Sequence, residues 1–421
     1  MKFELNSPIH DRDPNVAKRV RHLRVNPMWF KPPESVSFAG GRVRRWYSKF
    51  RFFGGSASKF RILDAERPVI QAMTIDLVGS FRNVTRYTIV TRYHPNPTNL
   101  PPFLAIAWKS FGSNLRRLTL NAPLGGFETL IATSGHLDAL EDLNLRFSTD
   151  VATEDTAEDM ATMLRFVVPF INSLSSTLRS LTILSSAFQD HTPFFHSLGH
   201  FPKLLSFALY IAFNPPLISD PSGLTHILND HAETLQYVTL QPHISFRLPP
   251  SSEAESDSVS AHQHFSRWMV ASSSNEVLFT NLRSLAICPA TSLFHWTDLD
   301  TIRIYVRRSQ DTLTSLVRGD GFLTYYEVDY LVSTFTHRPA NAGLKTLHLC
   351  THSLNPQLFD LLSRKLPGLD VLNLVFKSLV GDVNQEGIDD EVSLELVRRT
   401  SFTCTPSFQI FHLYRIHSLK R

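Results

Sequence analysis

Seven hexamers in this chain share one arrangement of apolar residues: LRRLTL (115–120), LEDLNL (140–145), LRSLTI (178–183), LQYVTL (235–240), LRSLAI (282–287), LKTLHL (344–349) and LDVLNL (369–374). The first, fourth and sixth places are apolar and the intervening places mostly polar. Weaker copies stand at VTRYTI (84–89), LLSFAL (204–209) and LTSLVR (313–318), with a further repeat-like VRHLRV at 20–25. From first place to first place the ten phrases from 84 onward are 31, 25, 38, 26, 31, 47, 31, 31 and 25 residues apart. Spacing of this kind belongs to stacked repeats, in which each unit buries its apolar face only against its neighbours.

Within each phrase the fourth and sixth residues alternate as in a short strand, apolar inward and polar outward. A small, polar or turn-type residue often precedes the phrase: Asn114, Thr177, Thr234, Asn281, Gly343 and Gly368. The connecting segments read as helices. In 355–366, Asn355 is placed to cap and Pro356 to occupy the first helical position, and Leu358, Phe359, Leu361, Leu362 and Leu366 recur at helical spacing. Residues 192–198 repeat the Thr-then-Pro opening. Residues 155–171 begin acidic, which suits the positive end of a helix dipole; 222–235 and 325–335 read the same way. The pattern predicts one α/β body, a leucine-rich-repeat-like solenoid of irregular repeat length. Parallel strands would line the concave face of a curved horseshoe, with helices outside.

These phrases resemble those of leucine-rich-repeat proteins, and among them the repeat portion of fungal F-box proteins. The opening DPNVAKRVRHLRV (13–25) is similar to the segment that leads from an F-box into the repeats. The similarity covers 84–376 well and 20–83 poorly. It departs from the standard repeat where an inward Asn should follow three places after the sixth residue: Ser148 and Ser186 stand there. No asparagine ladder is therefore expected. The resemblance implies a substrate-recognition part of a ubiquitin-ligase adaptor. The F-box itself, the helical module that docks on Skp1, is not found, so the expectation is a derivative without it or a shortened form. Skp1 is a partner only of a longer form.

Residues 1–83 read as a basic N-terminal cap with degenerate first repeats, 84–376 as the solenoid, and 377–421 as a C-terminal cap or tail. The Pro/Ser-rich acidic stretch 249–263 explains the 47-residue step and reads as a disordered loop. The 43% apolar content supports a continuous core, and 31 phenylalanines fill the space between strands and helices. Cys288, Cys350 and Cys404 are odd in number and far apart, which argues against a disulfide framework and for a reducing compartment. No signal-peptide core or membrane-length apolar run is present. The expected location is intracellular, cytoplasmic or nuclear, with no membrane partner.

No Gly-x-Ser-x-Gly elbow or phosphate-binding loop occurs, so no enzyme, catalytic residue or cofactor is predicted. HLCTH (348–352) carries His348, Cys350 and His352, but no paired motif supplies the fourth ligand of a metal site. His196 and His200 read as structural or loop histidines. The segment 42–53 interleaves Arg42, Arg44, Arg45, Lys49 and Arg51 with Trp46 and other aromatics; it reads as a cap, and alternatively as a nucleic-acid contact. The remaining candidate is the concave face, where the third and fifth places of each phrase project. These are Arg117 and Thr119, Asp142 and Asn144, Ser180 and Thr182, Tyr237 and Thr239, Thr346 and His348, and Asn373 beside Val371. They are predicted to dock an unidentified protein, with Tyr237, Arg117 and His348 as anchors and outer-helix charges such as Lys365 inert.

Overall fold

A computed structural model describes residues 2–5, 14–25, 75–91, 100–135, 137–148, 156–186, 189–213, 216–242, 263–272, 279–287, 296–319, 321–335, 343–379 and 410–415. Backbone contacts divide the chain into two compact units, Met1–Thr177 and Leu178–Arg421.

The first unit carries β1 (Lys2–Leu5), β2 (His22–Val25), β3 (Arg86–Val90), β4 (Arg117–Pro123) and β5 (Asp142–Ser148). The second carries β6 (Ser180–Ser185), β7 (Ser206–Ile211), β8 (Tyr237–Gln241), β9 (Ser284–Ile287), β10 (Ser315–Val317), β11 (Thr346–Leu354), β12 (Val371–Leu379) and β13 (Ile410–Arg415). Within each unit the strands follow chain order and pair in parallel. Each strand from β2 to β12 begins at the third place of a phrase, weak copies included. The register joins third place to third place: Arg86↔Arg117↔Asp142 in one unit, Ser206↔Tyr237↔Ser284↔Ser315↔Thr346↔Val371 in the other. This is an α/β leucine-rich-repeat-like stack.

The register has a chemical cause. Nine second-place carbonyls accept two N–H groups from the next repeat, those of its second and third places. Thr85 O takes Arg116 and Arg117 at 3.0 Å each, and Leu205 O takes Gln236 at 2.8 Å and Tyr237 at 3.0 Å. The same fork recurs at Arg21, Arg116, Arg179, Gln236, Arg283, Thr314 and Lys345. With the strand entry fixed, the first, fourth and sixth places point inward. Leu115, Leu118 and Leu120, or Leu344, Leu347 and Leu349, are no more than 1% exposed.

The expected absence of a side-chain ladder is corrected. An asparagine ladder exists, displaced to the residue just before the phrase. Asn83 Nδ2 donates to Lys18 O at 2.8 Å, Asn114 to Arg82 O at 3.0 Å, and Asn281 to Glu233 O at 2.5 Å. In each case the acceptor stands two residues before the preceding phrase. The turn or helix end there exposes a carbonyl that the strand ladder does not use, and a short amide side chain reaches it.

The helices cover the buried face. Asn355 caps Pro356–Lys365 as the sequence predicts, its Oδ1 accepting Leu358 N–H at 2.8 Å. Thr324 and Glu327 form a reciprocal capping box on Tyr325–Val332. The Thr192 opening works differently: Asp190 Oδ1 accepts Thr192 N–H at 2.9 Å. The segment read as one helix over 155–171 is Thr156–Thr162, a π turn Met163–Val167, and Val168–Ser173. Pro169 lacks the N–H that would close the preceding α turn, which accounts for the widening. Helix Ser222–Asp230 lies so close to Thr192–Ser197 that a Cβ on Gly223 would stand 2.8 Å from His196 N. Phenylalanine fills the interlayer space: Phe81, Phe103, Phe111, Phe127, Phe147 and Phe207 are fully buried. In the aliphatic sixth-place row one phrase carries Arg318 instead. It is 1% exposed, and its Nη1 donates to Gly321 O at 2.7 Å, in a turn where Gly321 holds φ +82°.

Leu143→Ala empties a fully buried site and is expected to cost about 2–5 kcal/mol; Asn114→Ala is expected to cost about 1 kcal/mol through the lost tie. Urea unfolding followed by circular dichroism checks both. An unchanged midpoint for Leu143→Ala would mean that the fourth places are not core.

Candidate functional site

The face of the sheet opposite the helices is formed by third, fifth and seventh places. Their alternation with buried places is regular: β4 and β8 expose Arg117 and Tyr237 at the third place and half-expose Thr119 and Thr239 at the fifth. All eleven positions predicted from the phrases lie on this open face. Strand register brings them together only in part. Arg117 adjoins Asp142, with Nε 3.6 Å from Oδ2, and Thr119 adjoins Asn144. Thr346 adjoins Val371, and His348 adjoins Asn373. Ser180 and Thr182 are separated from Tyr237 and Thr239 by Ser206 and Ala208 of β7. Ser284, Ala286, Ser315 and Val317 on β9 and β10 separate Tyr237 from Thr346.

These intervening residues were missed, as were Arg86 and Thr88 on β3 and Arg24 on β2. The signal was available, because the weak phrases obey the same register as the strong ones. Applying it yields two different surfaces. On the first unit the open face is rich in arginine. On β6 to β12 of the second unit, no Asp, Glu, Lys or Arg occupies a third or fifth place. The residues there are mainly Ser, Thr and Ala, with Tyr237 standing out at 46% exposed. His348 does not add charge, since burial lowers its pKa from the ordinary histidine value. Asn373 Oδ1 is buried and unbonded beside it.

HLCTH does not gather into a metal site. Cys350 is buried, and its thiol donates to Gly319 O at 2.9 Å. His352 is exposed, 5.8 Å from the Phe322 ring. Among the described residues no group of three or more His, Cys, Asp or Glu side chains is placed to hold a metal ion. Cys288 and Cys404, the acidic stretch 249–262, and the alternative nucleic-acid contacts Arg42, Arg44, Arg45, Trp46, Lys49 and Arg51 lie outside the described residues.

His196, Ser222 and Asp220 meet in one cluster. Ser222 Oγ is 3.2 Å from His196 Nε2 and donates to Asp220 Oδ2 at 2.7 Å, which is itself 3.3 Å from the same nitrogen. Hydroxyl and carboxylate share one imidazole nitrogen, so the ring cannot relay a proton between them as a hydrolytic triad does. The cluster caps helices instead. Asp220 Oδ1 accepts Ser222 N–H at 2.9 Å, and Asp190 Oδ2 accepts Ser219 Oγ at 2.5 Å. Burial opposes ionisation of Asp190, yet hydrogen bonds from Ser219 and Thr192 outweigh it and lower its pKa. His200 stacks on buried His231 with ring centroids 4.9 Å apart. His231 is a neutral tie between repeats: Nδ1 meets Ile227 O at 2.6 Å and Nε2 accepts Phe201 N–H at 2.8 Å.

Lys365, predicted to be an inert surface charge, is corrected. Its ammonium is 2.5 Å from Asp329 Oδ1 and donates to Ser333 Oγ at 2.6 Å, and its side chain is only 18% exposed. It joins helix Pro356–Lys365 to Tyr325–Val332.

No protein-family model matches the chain, and no curated protein matches it. Among solved structures, a crystal structure of a Bacteroides fragilis protein aligns with a TM-score of 0.31 at 10% identity, covering 79% of this chain. The match covers 65% of that protein's chain. Among the described residues no helix is long and apolar enough to cross a membrane.

Two predictions arise here. Lys365→Ala is expected to lower stability by about 1–3 kcal/mol, because Asp329 keeps a partly buried charge without its partner; calorimetry checks it. His191 is buried, its Nε2 is unbonded, and burial, against the opposing field of Asp190, lowers its pKa to about 4. The unfolded chain therefore takes up the proton first as pH falls. Stability is full above about 6.5 and declines towards 4, by about 2 kcal/mol between pH 7 and pH 5 from this group alone. His191→Gln should flatten that decline in urea midpoints measured across the range; an equally steep decline would remove His191 from the account.

Proposed function

We propose that the chain is a non-enzymatic interaction module that docks a protein segment on the open sheet face, with Tyr237 as the anchor. The repeat-like α/β architecture fits such a module. The observation that carries the reading is a field of short, uncharged side chains around one exposed tyrosine, flanked in register by Ser206 and Ser284. Covering such a field desolvates few charges and freezes few rotamers, while tyrosine supplies area and a directional hydroxyl. In its finer form, this is the substrate-recognition part of an F-box-type ubiquitin-ligase adaptor. The support for that form is the likeness of the phrases and of residues 13–25 to that family.

Affinity capture from extract with the immobilised full chain tests both levels. Tyr237→Ala is expected to reduce recovery of the captured protein about tenfold or more while leaving the melting temperature within a degree or so. Equal recovery with wild type and variant would overturn the assignment to this face. Skp1 and cullin among the recovered proteins would support the adaptor reading, and a reproducible partner without them would reduce it to a free-standing module.

A further inference from the structure

The open face of the first unit differs from that of the second in charge. β2, β3 and β4 place Arg24, Arg86 and Arg117 on it, all exposed, with His22 beside Arg86 in register. His22 Nε2 lies 3.4 Å from Thr88 Oγ1, which fixes these third and fifth places on one side. Arg146, exposed at the seventh place on β5, adds to the same field. Glu4 on β1 is the register partner of Arg24; towards β5, Glu141 stands 3.9 Å from Arg116 and Asp142 3.6 Å from Arg117. Both pairs are long and solvent-exposed, the Arg117 side chain at 55%; such pairs exchange readily with competing anions.

Arg86 and Arg117 are register partners on adjacent strands, about 5 Å apart at the backbone. Like charges placed directly opposite each other destabilise a sheet. No carboxylate adjoins Arg86 on either neighbouring strand, whose register residues are His22 and Arg117. The Arg86–Arg117 juxtaposition therefore costs the fold, and a partner bringing carboxylates would relieve it.

We infer that the β2–β4 face binds a glutamate- or aspartate-rich peptide segment of a protein partner, through Arg86 and Arg117. Guanidinium forks match carboxylates in a bidentate geometry. Nucleic acid fits less well. The third, fifth and seventh places of β3–β5 hold no Phe, Tyr or Trp on which bases could stack, and Asp142 and Glu141 would face a continuous phosphate chain at one end. The inference rests on the open face being a docking surface, but it concerns a different unit and different residues from Tyr237.

The test uses the full chain and a fluorescein-labelled octaglutamate peptide in an anisotropy titration, with labelled oligouridylate of the same charge in parallel. Saturable octaglutamate binding is expected, weakening as salt rises. Arg86→Glu with Arg117→Glu should reduce affinity about tenfold or more, and Arg86→Lys with Arg117→Lys should fall between wild type and the Glu pair, because the charge is kept and the fork is lost. Arg86→Gln with Arg117→Gln replaces the Glu pair if thermal melting shows that the latter is not folded. No saturable binding, unchanged binding in the double variant, or tighter binding of oligouridylate would each overturn the inference. Tyr237→Ala separates the two readings. If it leaves extract capture intact, the second-unit assignment fails, while octaglutamate binding still decides this one.

Discussion

The whole architecture depends on one doubly occupied carbonyl per repeat. When the oxygen at the second place accepts the N–H groups of the next repeat's second and third places, it fixes where the next strand begins to within one residue. Because side chains alternate with a period of two, a slip by one would turn every inward leucine to solvent. The fork explains why the strands from β2 to β12 start on the third place although the phrases from 20 to 369 stand 25 to 64 residues apart. Only about ten residues around each phrase are constrained. Length variation falls in the connections between phrases and leaves the register unchanged.

Side chains at the turn before each strand reinforce the fork. Asn83, Asn114 and Asn281 reach back to the preceding repeat, and Thr312 does the same with Oγ1 2.8 Å from Leu282 O. In the repeat of β8 the task falls to His231, which holds a carbonyl with one nitrogen and an amide N–H with the other. That arrangement is available only to the neutral ring, since a protonated Nε2 has no lone pair to offer Phe201. Burial, by desolvating the charged ring, also depresses the pKa of His231, with the Ile227 hydrogen bond opposing. Exchanging an amide for an imidazole thus preserves the geometry at neutral pH and makes the joint sensitive to acid.

The sequence disclosed the repeat register because leucine spacing is a local property. Where leucine gives way to phenylalanine the same grammar went unread. FQIFHL (408–413) precedes and includes β13, and Phe3 and Leu5 occupy the fourth and sixth places of β1. The asparagine ladder was sought at its standard offset and lies elsewhere, although Asn114 and Asn281 were visible as turn residues. The role of Lys365 was not legible at all. Its partners Asp329 and Ser333 stand more than thirty positions earlier, and nothing in a helical pattern of polar residues distinguishes a lysine in water from one held between two helices. Arg318 is the converse case: its place in the phrase announced burial, but its charge argued for solvent, and the turn at Gly321 settles the matter by offering a carbonyl.

The two open faces differ in the range over which their side chains act. An arginine row acts over roughly a Debye length, about 8 Å at physiological salt, and so affects encounter before contact. A field of serine, threonine and alanine has no such reach, and covering it would strip water from few charges. The same backbone fork generates both, since it fixes the positions of third and fifth places without regard to their identity. In this fold, recognition can therefore change by substitution at places that contribute little to the core, while the leucines two residues before and one residue after each third place keep the stack intact.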